Sequence, residues 1–360
     1  MRLLSRLATP VIPLALLAVS CSSEDVISEP AVASVEGDVL AFLDEVGGER
    51  VSGATVSVLE HPEMQVVTGD DAHFRFDGLR VGSDVTLVVE HPNFKTTQTA
   101  TLQLTEKGIH PFAIQVVSKG IFTALSGLVP TPVNEAENCV VASTVARMGG
   151  SLYVHLRQGM ADVSVSLSPA PPAGSGPIYF DENVLPAVDQ PATSKDGGVL
   201  FYNVPPGDYV MSATRANTLF NQVRFHCRAG VIVNAGPPDG LLANVPDPDR
   251  GAGGLYPADA YSAVTDTLCE TTAQCVNEDA GAIHYPPATV TSCKAMFSDT
   301  WAFVDESCDA DAALRDAAKA LYTCRAQSCD AALGGDDVCV DEDAAFNAAQ
   351  DVYGACLSGK

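Results

Sequence analysis

Two β-sandwiches followed by a small, disulfide-rich all-α bundle is the fold class that this chain of 360 residues predicts, and three observations predict it. Residues 34–236 carry short Val- and Thr-rich stretches with period-two alternation, broken by Gly, Asp and Pro. The order of those stretches occurs twice. Beyond about residue 258 the alternation ends, and alanine-rich helical spacing takes over together with eight of the 11 cysteines.

The chain opens with Arg2 and Arg6, the apolar run Leu14 to Val19, and then Ser20-Cys21-Ser22. A short basic head and an apolar stretch too short to span a bilayer make residues 1–20 an export signal. Ala18-Val19-Ser20-Cys21 resembles the lipobox of bacterial lipoproteins, although Leu is usual three residues before the cysteine. The resemblance implies that Cys21 is acylated, so that lipid tethers the protein to a membrane surface. By analogy with lipoprotein sorting, the same resemblance implies, from Ser22 rather than Asp after that cysteine, the outer membrane, on its periplasmic face or at the cell surface. Residues 21–33 read as a flexible tether.

In the first sandwich, residues 34–120, Ala54, Val56 and Val58 face a core while Thr55 and Ser57 face outward, and Val85 to Val89 form a more buried strand. The second, residues 139–236, repeats these signals in order. Gly53 to Val58 matches Met160 to Val165, Thr68 to Phe76 matches Thr193 to Phe201, and Leu79 to Val85 matches Val204 to Val210. The turn residues set backbone conformation and carry no chemistry. Both segments resemble carboxypeptidase regulatory-like domains, the transthyretin-like (prealbumin-like) sandwiches related to adhesin B-repeats. The family pattern is a Gly-Ala-x-Val-x-Val strand, a Thr-Asp-x-x-Gly-x-Phe hairpin and a Leu/Val-Pro-x-Gly-x-Tyr turn. The second copy keeps Asp196-Gly197 and Val204 to Tyr209; the first has Ala72 where Gly is usual and Arg80-Val81-Gly82 in place of Pro-x-Gly. Some adhesin repeats carry a Lys–Asn isopeptide cross-link; the first copy has no Lys before Lys95, and in the second a Cys139–Cys227 bond would take the stapling role. Between Pro169 and Pro191 lies an insertion whose Pro-Pro-Ala-Gly-Ser-Gly run marks a surface loop, with Pro177 to Phe180 as an extra strand.

Residues 237–257 are a Pro/Gly/Asp linker, and residues 258–360 form the Cys-rich helical domain. Helical faces are predicted at Tyr261, Val264 and Leu268; at Cys293, Phe297, Trp301, Val304 and Cys308; at Leu314, Ala317, Leu321 and Cys324; and at Ala345, Ala349, Val352 and Cys356. Asp309 and Asp341 are expected as caps of the third and fourth helices. With Cys21 taken by lipid, ten cysteines remain, an even number in an oxidising compartment. Cys139 and Cys227 stand alone and form a plausible pair. Cys269, Cys275, Cys293, Cys308, Cys324, Cys329, Cys339 and Cys356 allow 105 pairings. Zinc would want CxxC spacing with His close by, and here the nearest pairs are wider and His284 is the only histidine.

Net charge is −25, and −27 once Arg2 and Arg6 leave with the signal, which repels nucleic acid. Residues 255–360 alone hold 18 acids against 5 bases. Glu60-His61 and Glu90-His91, each followed by Pro, are weak candidates for a divalent metal site at one sandwich end, with strand-end punctuation as the simpler reading. The third His-Pro pair is His110-Pro111. There is no Gly-x-Ser-x-Gly elbow, His-Glu-x-x-His helix, phosphate loop or dinucleotide fingerprint. No catalytic residue, cofactor or enzymatic activity is therefore expected. The expectation is a membrane-tethered envelope protein that binds or structures a protein or polysaccharide partner. Alternatives are an accessory subunit of an envelope secretion, transport or redox assembly and, last, an unrecognised hydrolase.

Overall fold

The computed structural model describes residues 30–42, 50–147, 152–153, 159–216, 218–237, 240–243, 262–279, 289–291, 293–295, 297, 308–332 and 338–358. The leader, Cys21, most of the tether and of the 237–257 linker, Tyr261, His284, Trp301 and Val304 lie outside them. The described chain is mostly β-sheet up to residue 243, followed by a helical region held by several disulfides.

The first half contains β1 (Val32–Ala41), β2 (Thr55–Val58), β3 (His61–Val67), β4 (His73–Arg80), β5 (Asp84–Val85), β6 (Leu87–Glu90), β7 (Thr97–Gln98), β8 (Leu102–Gln103) and β9 (Ile109–Val116). β1 pairs antiparallel with β4 and parallel with β9, and β6 lies between β2 and β7. Alternation sends every second side chain inward. Val39, Phe74 and Ile114 of one sheet thus share a core with Val56, Val58 and Leu87 of the other. Ala54, Val56 and Val58 are fully buried, Thr55 and Ser57 half-buried, and Val85 to Val89 buried throughout.

After α1 (Lys119–Ser126) come β10 (Cys139–Thr144), β11 (Ser164–Ser168), β12 (Ile178–Phe180), β13 (Pro186–Ala187), β14 (Gly198–Val204), β15 (Gly207–Thr214), β16 (Val223–Cys227) and β17 (Ile232–Ala235). The connectivity of the first half recurs: β10 is antiparallel to β14 and parallel to β17, and β15 lies between β11 and β16. A second core joins Val141, Phe201 and Val233 to Val165, Leu167 and Met211.

The repeat is visible atom by atom at two buried threonines. Thr68 Oγ1 accepts from the Ala54 amide at 3.0 Å and donates to the Val51 carbonyl at 2.7 Å. Thr193 Oγ1 accepts from the Val163 amide at 3.0 Å and donates to the Met160 carbonyl at 2.6 Å. These bonds equate Val51 with Met160 and Val56 with Val165, two residues away from the match expected from sequence. An even shift keeps every side chain on its face, so the inward residues were read correctly although the register was not. Ala72, where the second copy has Gly197, also needs the left-handed backbone: φ is +57° at Ala72 and +77° at Gly197. At the following turn Tyr209 is buried, its hydroxyl donating to the Pro205 carbonyl at 3.0 Å. In the first copy Val85 is buried instead, one position later than the match predicts.

The two β halves share a sheet, a junction that the strand patterns leave open. β7 pairs in parallel with β17, Thr97 beside Ile232 and Gln98 beside Val233, and this joins strands of both halves into one nine-stranded sheet. The exposed edge of β7 needs partners for its N–H and C=O groups, and alternation alone does not say which strand supplies them.

The helical region contains α2 (Ser262–Asp279), α3 (Asp311–Arg325), α4 (Cys329–Ala332) and α5 (Val340–Ser358). Leu268, Phe297, Leu314, Leu321 and Tyr322 form its core with Phe346 and Tyr353. On α5 the predicted face is displaced by one residue. Val352 is 61% exposed and Ala345 exposed, whereas Phe346, Gln350, Tyr353 and Leu357 are buried. The aromatic rings bury more apolar area than the alanines chosen from spacing. The expected caps also move. Ala310, not Asp309, precedes α3 without a side-chain cap bond, and Asp341 lies within the first turn of α5 beside Glu342 and Asp343. There the three carboxylates favour the helix dipole.

Candidate functional site

The sequence-predicted site residues fall into separate places. Cys139 bonds Cys227, tying β10 to β16, and the remaining eight pair as Cys269–Cys293, Cys275–Cys329, Cys308–Cys356 and Cys324–Cys339. Glu60 accepts from the Thr86 amide at 2.8 Å. His61 Nδ1 lies 3.5 Å from Glu63. Glu90 and His91 line a different feature, an open polar cleft of about 510 Å³ that they share with Lys95 and Lys119. His91 Nδ1 accepts from the Asn93 amide at 3.2 Å, and its ring meets Phe94 edge-on. The four metal candidates thus do not converge, and the ammonium groups beside Glu90 and His91 oppose a cation. Among the described residues one cluster has metal-ligand spacing, Cys324, Cys339 and Glu342, and its sulfurs are already bonded to each other. Lys95 pairs with Glu135 and sits 4.8 Å above the Phe122 ring.

An apolar slot of about 120 Å³ lies on the outer face of β12, β14, β10 and β17. Its floor follows from alternation. With Val141, Val199, Phe201 and Val233 turned into the core, Val140, Ala142 and Thr144 of β10 face out, as do Leu200 and Tyr202 of β14 and Ile232 and Asn234 of β17. Register places Ala142 beside Leu200 and Asn234, and Thr144 beside Gly198. The floor therefore grades from apolar at Val140, Ile232 and Tyr202 to polar at Thr144 and Asn234, where Asn234 Nδ2 donates to the Gln115 carbonyl at 2.7 Å.

The walls come from elements that sequence reasoning left unassigned or left open. α1 was missed, although Ile121, Phe122 and Leu125 follow helical spacing after Ser118, whose Oγ caps the Ile121 amide at 3.2 Å. Phe122 and Leu125 wall one side, with Val129 and Val133 after the helix. The 169–191 insertion supplies Phe180 and Val184 on another side. Gly198 admits the Phe180 ring, since a Cβ there would lie 2.7 Å from Phe180 Cδ2. Val184 has φ +63°, a rare and costly conformation for a β-branched residue. Asp181 holds that loop, accepting from the Asn183 amide at 2.8 Å and the Leu185 amide at 3.0 Å, and the backbone bond to Leu185 lowers its pKa most.

A second cluster of polar groups is buried on the first half. Asp38 on β1 is fully buried; its Oδ1 lies 3.0 Å from His73 Nδ1, and the Tyr153 hydroxyl lies 2.8 Å from its Oδ2 and 2.7 Å from the Phe112 carbonyl. The hydrogen bond to Asp38 raises the His73 pKa against the opposing effect of burial, with Glu36 and Asp71 adding smaller contributions. Tyr153 belongs to the same apolar cluster as Leu40, Ala113 and the helical core, so this network sits where the helical region meets β1 and β9.

No protein-family model matches the chain, and no curated protein matches it. Among solved structures it overlaps the TIE protein of Bacillus anthracis at 12% identity and a TM-score of 0.20, covering 59% of this chain and 34% of that one. It overlaps a streptococcal ancillary pilin at 8% identity and TM-score 0.20, covering 59% and 69%. The minor pilin of Streptococcus agalactiae overlaps at 9% identity and TM-score 0.18, covering 58% and 95%. The chain spans about a third of the length of the TIE protein. Overlaps of this size decide neither fold nor function.

Proposed function

We propose that this chain is an exported, non-catalytic binding or structural protein, anchored through acylated Cys21 to the outer membrane of a bacterial envelope and engaging an envelope protein or polysaccharide. The observation that carries the reading is the fate of the thiols. Of 11 cysteines, ten are consumed in five disulfides within the chain. Such a framework suits an oxidising compartment and leaves Cys21 no partner in its own chain. Among the described residues no helix is long and apolar enough to cross a membrane; in this reading attachment is by the lipid on Cys21. The two β halves are read as carboxypeptidase regulatory-like sandwiches, which the shared connectivity and the matched Thr68 and Thr193 bonds support.

The test is expression of the full-length chain in a Gram-negative host with a labelled fatty acid, followed by capture from the solubilised envelope. The reading expects label on the wild type, none on Cys21→Ala, and wild-type protein retained on envelope polysaccharide or with an envelope protein. A stoichiometric protein partner in that capture would identify the accessory-subunit form of this function. An unlabelled wild type would remove the tether, and absence of any retained partner would remove the binding role.

A further inference from the structure

We propose that the slot beneath the 169–191 insertion binds a small, uncharged molecule with a compact apolar body and a single hydroxyl or amide end. This rests on the binding half of the function proposed above and is independent of the lipid tether. Four features of the slot point to it.

Room exists because a small residue, Ala142, stands on a sheet face whose neighbours are Val140, Leu200, Tyr202 and Ile232, while Gly198 lets the Phe180 ring close one wall. The resulting space of about 120 Å³ is near the size of a dry cavity that accepts a single six-membered ring, about 150 Å³. The floor grades from hydrocarbon to the Thr144 hydroxyl and the Asn234 amide, which matches a ligand apolar at one end and hydrogen-bonding at the other. Charge sets the third constraint. Among the described residues Asp196 lines the slot and no Lys, Arg or His does, so a carboxylate or phosphate there would be desolvated without a counter-ion from them. The fourth feature is the wall. The loop bearing Val184 keeps a β-branched residue in the left-handed region beside the cavity, and strain of this kind collects at ligand clamps.

Benzyl alcohol and benzoate, equal in size and different in charge, separate the proposal from generic apolar binding. With the mature chain and its disulfides intact, benzyl alcohol at millimolar concentration is expected to raise the melting temperature by a few degrees. It is also expected to shift the methyl resonances of Val140, Leu200 and Ile232, while benzoate does neither. Ala142→Phe, which fills the floor, should abolish both responses and leave the unliganded melt near that of the wild type. Should that variant not fold, the methyl map of the wild type decides alone. Absent shifts, shifts centred elsewhere, or equal responses to benzoate would overturn the assignment. Failure here would leave Cys21 acylation and envelope capture intact, whereas failure of those would leave the probe response unchanged.

Discussion

Thr68 and Thr193 show how a single side chain sets local structure in this protein. Each hydroxyl satisfies one buried amide and one buried carbonyl. Valine has the same shape and neither bond, so Thr68→Val and Thr193→Val each orphan two backbone groups. Each is expected to cost about 2–4 kcal/mol, at about 1–3 kcal/mol per orphaned buried group with partial relaxation. Urea unfolding checks this, and a loss below about 0.5 kcal/mol would show that water replaces the hydroxyl. His73 provides the pH dependence. Its folded pKa lies above the ordinary value of about 6.5, because protonation strengthens its bond to Asp38. The associated stability is therefore complete below about pH 6.5 and is lost as pH rises through the folded pKa. Melting temperatures from pH 5.5 to 8.5 should show a fall in the wild type that His73→Gln flattens; an unchanged slope in the variant would assign the fall to other groups. Neither threonine was singled out for this role from the sequence, since a Thr in a strand reads as ordinary β propensity until its hydroxyl's neighbours are known.

Strands and helices differ in how much of their placement local pattern reveals. Alternation on β2 assigned Val56 and Val58 to the core even with the repeat matched two residues out of register, because period two tolerates an even slip. On α5 the helical period tolerated no such error, and one residue of displacement put Val352 at the surface and Tyr353 inside. α1 escaped notice because eight residues offer barely two turns of periodicity, and none of its side chains is fully buried. In the second β half the Cys139–Cys227 bond closes a separation of 88 residues between β10 and β16. Loop entropy of this length makes the bond worth about 2–5 kcal/mol. The double change Cys139→Ser, Cys227→Ser should lower unfolding free energy by that amount while far-ultraviolet dichroism keeps its β signature. A loss of the β signature itself would mean that the bond is required for the half to fold at all.

At the scale of the molecule, the helical region is both acidic and attached. Arg147 meets Asp343 at 3.0 Å and Arg215 meets Asp351 at 3.1 Å, so two arginines of the β part take up carboxylates of α5. Four disulfides with separations of 15 to 54 residues fasten the helical region. Reduction should therefore raise amide exchange across α2, α3 and α5 by orders of magnitude, while the strands of the first half, which hold no cysteine, stay protected. Uniform loss of protection would instead make the molecule a single cooperative unit resting on its sulfurs. The change from β to helix between residues 243 and 262, the twofold order of strand signals and the parity of the cysteines were all legible in the chain, because each is written in local composition and spacing. The pairing of β7 with β17, the choice among 105 disulfide patterns, the burial of Asp38 beside Tyr153, and the slot between α1 and the insertion were decided only on folding. Each joins residues far apart in the chain, and local periodicity states which face of an element is apolar without stating what will cover it.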